Sequence, residues 1–229
     1  LRSLVGSEMC IRDREHIREE KLGGKIATRL GNGLAPLEPG ETDTVIIAGM
    51  GGDLICKILK AKPEFLIEGK EFILQPQSEW FKIRRLLKEY RYQIEKEWFL
   101  KEDGKYYVII KAEPAWTQPQ RLKHQQPSIH EYIKEISDTQ VNQAVSEKDM
   151  ESIYEQYGKY LIETKNPVLK EYLEKEITKK ESIAAELKQS IKEIESEELS
   201  GKERGNIAKR QRRYQEIQKE IRDMRKAIG

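Results

Sequence analysis

The stretch Asp43 to Leu59, DTVIIAGMGGDLICKIL, decides how the rest of the chain is read. Val45, Ile46 and Ile47 form a short β-branched run, as expected of a strand buried on both faces of a parallel sheet. Ala48 to Gly52, AGMGG, ends it. Leu54, Ile55, Ile58 and Leu59 then recur at helical spacing, so the order is strand, glycine turn, helix, which is half of a βαβ unit. In open α/β sheets ligands bind outside the carboxyl ends of the strands, where a glycine lets them approach the backbone. Two readings of Gly49 to Gly52 stand here: a ligand site, or turn geometry and close helix packing alone. No Gly-Lys-Ser/Thr comes after it and there is no G-x-G-x-x-G, so spacing selects neither a P-loop nor a dinucleotide.

Upstream, EHIREEKLGG predicts a helix end with Ile17 and Leu22 inward and Gly23 or Gly24 as the left-handed stop. KIATRLGNGL alternates Ile26, Thr28 and Leu30 before Gly31-Asn32-Gly33, a strand ending in a polar turn. Downstream, Phe72 to Leu74 is a further strand. Pro76 closes it, because proline cannot donate to the sheet and extends the residue before it. Ser78 is the expected cap of a helix that buries Trp80, Ile83, Leu86 and Leu87. Its Lys82, Arg84, Arg85 and Lys88 have two readings, a solvated face or phosphate contact. Two strands joined at Glu102 to Lys105, with Gly104 at the turn, then predict an antiparallel hairpin at one edge of an otherwise parallel sheet.

Thr117 to Ser128, with Pro119, Pro127 and several glutamines, reads as a linker. Residues 129–229 read as helix throughout. Ile129, Tyr132, Ile133 and Ile136 give one short amphipathic segment, and Met150, Ile153, Tyr154, Tyr157 and Leu161 a second. Asn166-Pro167 opens a long helix in which Leu173, Ile177, Lys180, Ala184, Leu187, Ile191 and Ile194 hold heptad a and d spacing. A capping box from Ser200 to Glu203 restarts the helix, and the spacing resumes from Ile207 through Tyr214, Ile217 and Ile221 to Ile228. So short a connection predicts an antiparallel coiled-coil hairpin reaching roughly 40 Å. Residues 201–229 hold ten basic side chains against four acidic ones, on either a solvated or an RNA-facing surface.

These elements account for the composition. In 229 residues, 36% are charged, the mean hydropathy is -0.77 and the net charge is only +2. An elongated, solvated part is required, and no overall electrostatic case for nucleic acid exists; the distribution of charge has to carry it. Cys10 and Cys56 make neither a metal nor a disulfide pattern, and no run has transmembrane or signal-peptide character, so the expectation is a cytoplasmic protein without metal. Leu1 to Arg14 matches no pattern in the rest of the chain. It resembles a translated sequencing-adaptor peptide, the other reading being a frayed terminus, and both set residues 1–14 outside the fold.

The motifs RLGNGL (Arg29 to Leu34), IIAGMGGDLI (Ile46 to Ile55), ILQPQ (Ile73 to Gln77), EDGKYYVII (Glu102 to Ile110) and YGKYLIETKNPVLKEYLEKE (Tyr157 to Glu176), in this order, resemble the bacterial tRNA adenine-22 N1-methyltransferase family TrmK. The resemblance implies a class I, Rossmann-like α/β domain using S-adenosylmethionine over residues 15–116. It also implies a linker at 117–128 and an all-α antiparallel coiled-coil domain at 129–229 that helps grip tRNA. It sets Asn32, Gly33 and Leu34 beside the cofactor's adenine, with Asn32 where the family usually has aspartate. An amide both donates and accepts, whereas a carboxylate only accepts. Ala48, Gly49 and Met50 would hold the methionine end, and Gly49, Met50 and Gly51 would face the incoming base. Gln75, Pro76 and Gln77 would form the neighbouring wall, Gln77 standing where asparagine is frequent. The family's first two strands, with the cofactor's carboxypropyl loop and ribose-binding acid, have no counterpart, and the expectation is an amino-terminally truncated sheet whose exposed edge lies beside Val45 and Ile47, this chain being a fragment and its intact parent the active methyltransferase.

Adenine N1 carries a lone pair at neutral pH, so methyl transfer asks for positioning and a shielded pocket more than for a strong base. The base must also be unpaired to present N1. Folded tRNA is then the expected partner, with the protein a monomer or weak dimer and no membrane involved. A noncatalytic tRNA-binding or coiled-coil interaction protein is the alternative reading; a Rossmann oxidoreductase lacks its glycine fingerprint here.

Overall fold

The computed structural model describes residues 2–115, 145–195 and 201–229. The expected linker, the Ile129 to Ile136 segment and the Ser200 cap lie outside the described residues.

Among the described residues, four strands form one sheet in the order β1-β2-β4-β3, from β1 (Thr44–Met50), β2 (Glu71–Pro76), β3 (Tyr92–Glu102) and β4 (Lys105–Pro114). β1 and β2 are parallel, with Val45 opposite Phe72 and Ile47 opposite Leu74; β4 runs antiparallel to both β2 and β3. The β3–β4 turn has Asp103 at φ 48° and Gly104 at φ 76°. Two successive left-handed residues make the tight turn that matches strand twist. Three helices cover one face: α2 (Gly52–Ala61), α3 (Pro63–Ile67) and α4 (Trp80–Glu89). Ile55, Leu59, Phe65, Leu66, Ile83 and Leu87 from the helices are fully buried against Phe72, Leu74, Val108 and Ile110 of the sheet. This apolar layer fixes the carboxyl ends of β1 and β2 against the amino ends of α2 and α4.

Four expectations about this region change. β1 is buried on one face only, since Val45 and Ile47 point into the core while Ile46 is 67% exposed. Among the described residues β1 has a strand on one side only. Ile26 to Leu30 is not a strand, because it pairs with none, and Leu30 is 67% exposed. The preceding helix, α1 (Arg2–Glu19), is followed by a left-handed Lys21, at φ 56°, so the left-handed stop is not at Gly23 or Gly24. The N-cap position of α4 is Glu79, at φ 54°, and no side chain, Ser78 included, makes the capping bond.

The remaining helices are α5 (Val145–Tyr157), α6 (Lys159–Glu163), α7 (Pro167–Glu195) and α8 (Gly201–Ile228). Gly158, at φ 92°, separates α5 from α6, so Leu161 does not continue the helix of Ile153 and Tyr157. Asn166 opens α7 as expected, its Oδ1 accepting the N–H groups of Val168 and Leu169 at 3.0 Å each. α7 and α8 run antiparallel: Lys180 pairs with Glu220, Arg225 with Glu181 at 2.6 Å, and Arg210 donates to Ser190 at 2.6 Å. Ala184, Ile217 and Ile221 are buried between them, as heptad spacing requires. Ile153, Tyr157, Leu161, Leu169, Leu173, Met224 and Ala227 join the same core as the sheet, so the base of this helix pair is seated on the α/β layer.

Candidate active site

The carboxyl end of β1 is built by its own sequence. Gly49 adopts φ 79°, which side-chain-bearing residues rarely take, and a Cβ there would meet nothing within 4 Å, so the turn borders open space. Gly52 is different, since a Cβ would lie 2.6 Å from the Glu79 carbonyl and 2.7 Å from that of Ser78. Here glycine serves close packing, and the Gly52 N–H donates to the Ser78 carbonyl at 2.9 Å. Close packing thus accounts for Gly52, while Gly49 borders open space.

β2 supplies the facing wall. The Gly49 N–H donates to Gln75 Oε1 at 2.8 Å, and the Gln77 N–H donates to the Met50 carbonyl at 2.8 Å. The first bond fixes the Gln75 amide with its oxygen towards Gly49. Gln75 Nε2 is buried with no partner. An orphaned donor costs about 1–3 kcal/mol, so a hydrogen-bond acceptor is the group this corner lacks. Pro76 is buried behind it.

The structure brings Ala48, Gly49, Met50, Gly51, Gln75, Pro76 and Gln77 together across the β1–β2 register. It does not bring Asn32, Gly33 and Leu34 to the same point. Gly33, at φ 56°, lies against Ile58, where a Cβ would be 2.8 Å from Cγ2; Leu34 is buried and Asn32 exposed. Ile58 is six residues past Gly52, about 9 Å along α2.

The charged rim of this corner was not anticipated. Lys82 bridges Asp53, at 2.9 Å, and Glu79, and Lys57 reaches Asp53 at 2.7 Å. Hydrogen bonds from Lys57 and Lys82 lower the Asp53 carboxyl to about 2. The signal available was an acid in the first turn of a helix that begins at Gly-Gly, where helix dipoles favour negative charge. The four cations of α4 are all committed: Lys82 here, Arg84 to Glu97 at 2.7 Å, Arg85 to Glu155 at 3.1 Å, and Lys88 to Glu151. Arg84 is 4% exposed, which corrects its reading as a surface residue. It also donates through Nη1 to the carbonyls of Glu155 and Gln156, at 3.0 and 2.9 Å, which closes α5.

A parallel strand pair with a glycine turn into α2, continued by an antiparallel hairpin, is a Rossmann-like methyltransferase fold. Solved structures superpose on it over most of this chain. A crystal structure of the Bacillus subtilis m1A22 tRNA methyltransferase TrmK superposes with a TM-score of 0.63 at 24% identity, covering 94% of this chain and 76% of that one. Mycoplasma capricolum TrmK in complex with S-adenosyl-homocysteine superposes with a TM-score of 0.61 at 20% identity, covering 97% and 76%. The family model described as TrmK, tRNA (adenine(22)-N(1))-methyltransferase, matches residues 11–156, and the chain belongs to that family. The tRNA (adenine(22)-N(1))-methyltransferase of B. subtilis (strain 168) is 32% identical over 161 residues, 56% of this chain and 66% of the relative. A Mycoplasma pneumoniae relative is also 32% identical, over 42% of this chain and 44% of its own length. The chain thus spans less than two thirds of either curated relative.

No helix among the described residues is long and apolar enough to cross a membrane.

Proposed function

We propose that this chain belongs to an S-adenosylmethionine-dependent enzyme that methylates N1 of adenine 22 in tRNA, acting in the cytoplasm. The observation that carries the reading is the family match across residues 11–156, which spans both halves of the β1–β2 corner. The corner itself suits the chemistry: open space beside Gly49 and an orphaned amide donor on Gln75. Ala48, Gly49 and Met50 would hold the cofactor's methionine end. Asn32, Gly33 and Leu34, further along α2, would meet its adenine end. When bound, S-adenosylmethionine supplies an electrophilic methyl group. Gly49, Met50, Gly51, Gln75, Pro76 and Gln77 orient the base in line and exclude water, and no side chain has to remove a proton from N1 before attack. The half-exposed Met50 side chain offers apolar contact to a flipped base.

The division proposed is a methyltransferase domain over 15–116 and a helical domain over 129–229, whose α7–α8 coiled coil binds tRNA phosphates in a monomer or weak dimer. Charge placement narrows the RNA-facing set. Arg210 turns inward to Ser190, and Arg213 binds Glu216 and Glu220 at 3.2 and 3.4 Å. Lys209, Arg212, Lys219 and Arg222 lie exposed, spaced to share the outer face of α8.

Calorimetry with S-adenosylhomocysteine tests the reading. Binding by the chain, weakened at least about tenfold by Gly49→Val, is expected, since the variant fills the open space beside the turn. A folded intact parent protein that binds no S-adenosylhomocysteine contradicts it and favours the noncatalytic tRNA-binding alternative.

A further inference from the structure

The end of β2 has a support problem that the strands do not solve. β2 pairs with β1 from Glu71 to Pro76, but with β4 only from Phe72 to Leu74. Gln75, Pro76 and Gln77 thus continue past the last residue of β2 that β4 holds. Because the Gln77 N–H points to β1, the trans peptide that it shares with Pro76 turns the Pro76 carbonyl to the opposite side, where β4 pairing has ended. Pro76 has no N–H, so this carbonyl is its sole backbone handle. The indole of Trp80 stands there, and its Nε1–H donates to the Pro76 carbonyl at 3.2 Å.

Trp80 is itself held from behind. Its ring meets Phe99 of β3 edge-on, with centroids 5.4 Å apart at 89°, and Tyr172 of α7 at 5.7 Å and 58°. Phe99 and Tyr172 are 5.5 Å apart, so the three rings close on one another. Aromatic groups of this kind are stiff and carry few rotamers, which suits them to fixing a backbone. Beyond the β1–β2 ladder, the wall residues are tied at Gln75 by Gly49, at Gln77 by Met50 and at Pro76 by Trp80.

We propose that Trp80 is a positioning residue for methyl transfer: its indole replaces the missing strand neighbour of Pro76 and so sets Gln75 and Gln77 against the glycine turn. The inference rests on the function proposed above. It makes Tyr172, on the first turns of the long helix pair, the outer support of the active-site wall. The helical part then contributes to the geometry of the reaction as well as to RNA binding.

Trp80→Phe tests this, because it keeps a ring against Phe99 and Tyr172 and deletes the donor alone. Two readouts are taken on the full chain: hydrogen exchange of the peptide spanning residues 74–79, and kcat and KM for tRNA. Exchange over residues 74–79 is expected to quicken by about tenfold, with the β3–β4 hairpin unchanged. The kcat is expected to fall by about tenfold, with the KM for tRNA within about twofold. Unchanged exchange at residues 74–79 overturns the proposal, as does a lost kcat with that peptide still protected. Deprotection of the hairpin together with the wall would make Trp80 a general core residue and also overturn it. Tyr172→Ala, which removes the outer ring, should reproduce the Trp80→Phe exchange pattern; failure to do so overturns the supporting role of Tyr172. If the unaltered chain transfers no methyl group to tRNA, the exchange result alone still decides whether Trp80 holds the wall.

Discussion

Two helices in this molecule look alike as strings of basic residues and differ in where those charges go. On α4, Lys82, Arg84, Arg85 and Lys88 each have an acidic partner, and Arg84 with Glu97 is buried. On α8, Lys209, Lys219 and Arg222 have no ion pair among the described residues. The side chain of Arg212 is 84% exposed despite its loose contact with Glu216. Charge on α4 serves to assemble the protein, tying α2, β3 and α5 together. Charge at these four positions of α8 remains exposed to solvent, whereas Arg213 and Arg225 are paired. Surface ion pairs contribute little, whereas a buried pair that loses one member leaves an uncompensated charge, so the two helices should respond to substitution in opposite ways.

The largest effect is expected at the buried pair. Arg84→Met should destabilise the chain by about 3–5 kcal/mol in urea unfolding, with Arg84→Met/Glu97→Gln recovering part of the loss. Burial pushes the Glu97 carboxyl up from its ordinary 4.5. A raised carboxyl holds its proton more tightly when folded, so its stabilising contribution is present below the ordinary value and is lost as pH rises through the folded one. Removing the Arg84 cation, which opposes this, should make the variant's deficit shrink in acid and grow towards neutrality. A deficit independent of pH would show that Glu97 is not the group left unpaired.

Next comes Gly158. A Cβ there would lie 2.9 Å from Arg84 Nη2 and 3.1 Å from the Glu97 carboxyl carbon, at a φ of 92°. Gly158→Ala should cost about 1–3 kcal/mol by thermal unfolding, without altering α8. An unchanged melting temperature would mean that the α5–α6 joint does not depend on this geometry.

RNA binding separates α4 from α8 without unfolding either. Changing Lys209, Arg212, Lys219 and Arg222 together to glutamine should flatten the salt dependence of tRNA affinity by up to about four units of slope. Lys82→Gln and Lys88→Gln should leave the slope as it was. Equal effects from both sets in filter-binding titrations would dissolve the distinction between the helices.

The smallest effect is expected at Glu171 of α7, where Lys101, Lys175 and Tyr106 lower the carboxyl to about 2. A lowered carboxyl stabilises above its ordinary pKa and loses that contribution as pH falls from 4.5 towards about 2. Glu171→Gln should therefore melt with a flatter acid limb than the unaltered chain, and superimposable limbs would show that this contact adds nothing to acid stability.

Much of the fold was legible because local chemistry and tertiary structure agree. Asn166-Pro167 fixed the start of α7, Asp103-Gly104 fixed the hairpin, and heptad spacing named the residues buried between α7 and α8. Periodicity failed where the answer lay in a neighbour. Ile26 to Leu30 alternates like a strand but has nothing to pair with, and Ile46 is apolar but faces outward on an edge. At the site, glycines and the Gln-Pro-Gln turn announced the β1–β2 corner. The bond between Gly49 and Gln75 is set by register, which no local pattern encodes. Trp80 read as part of a buried stripe, yet its indole N–H has a task that only the end of β4 pairing reveals. Arg84 read as solvent-facing because its partners are 13 and about 71 residues away along the chain.

The decisive measurement is methyl transfer itself. The chain is incubated with S-adenosylmethionine and an unmodified tRNA transcript, and the product is mapped by reverse transcription, which halts at adenine methylated on N1. A cofactor-dependent stop at adenine 22 that Gly49→Val abolishes is the expected result. A stop that persists in Gly49→Val would contradict the β1–β2 corner as the site of transfer.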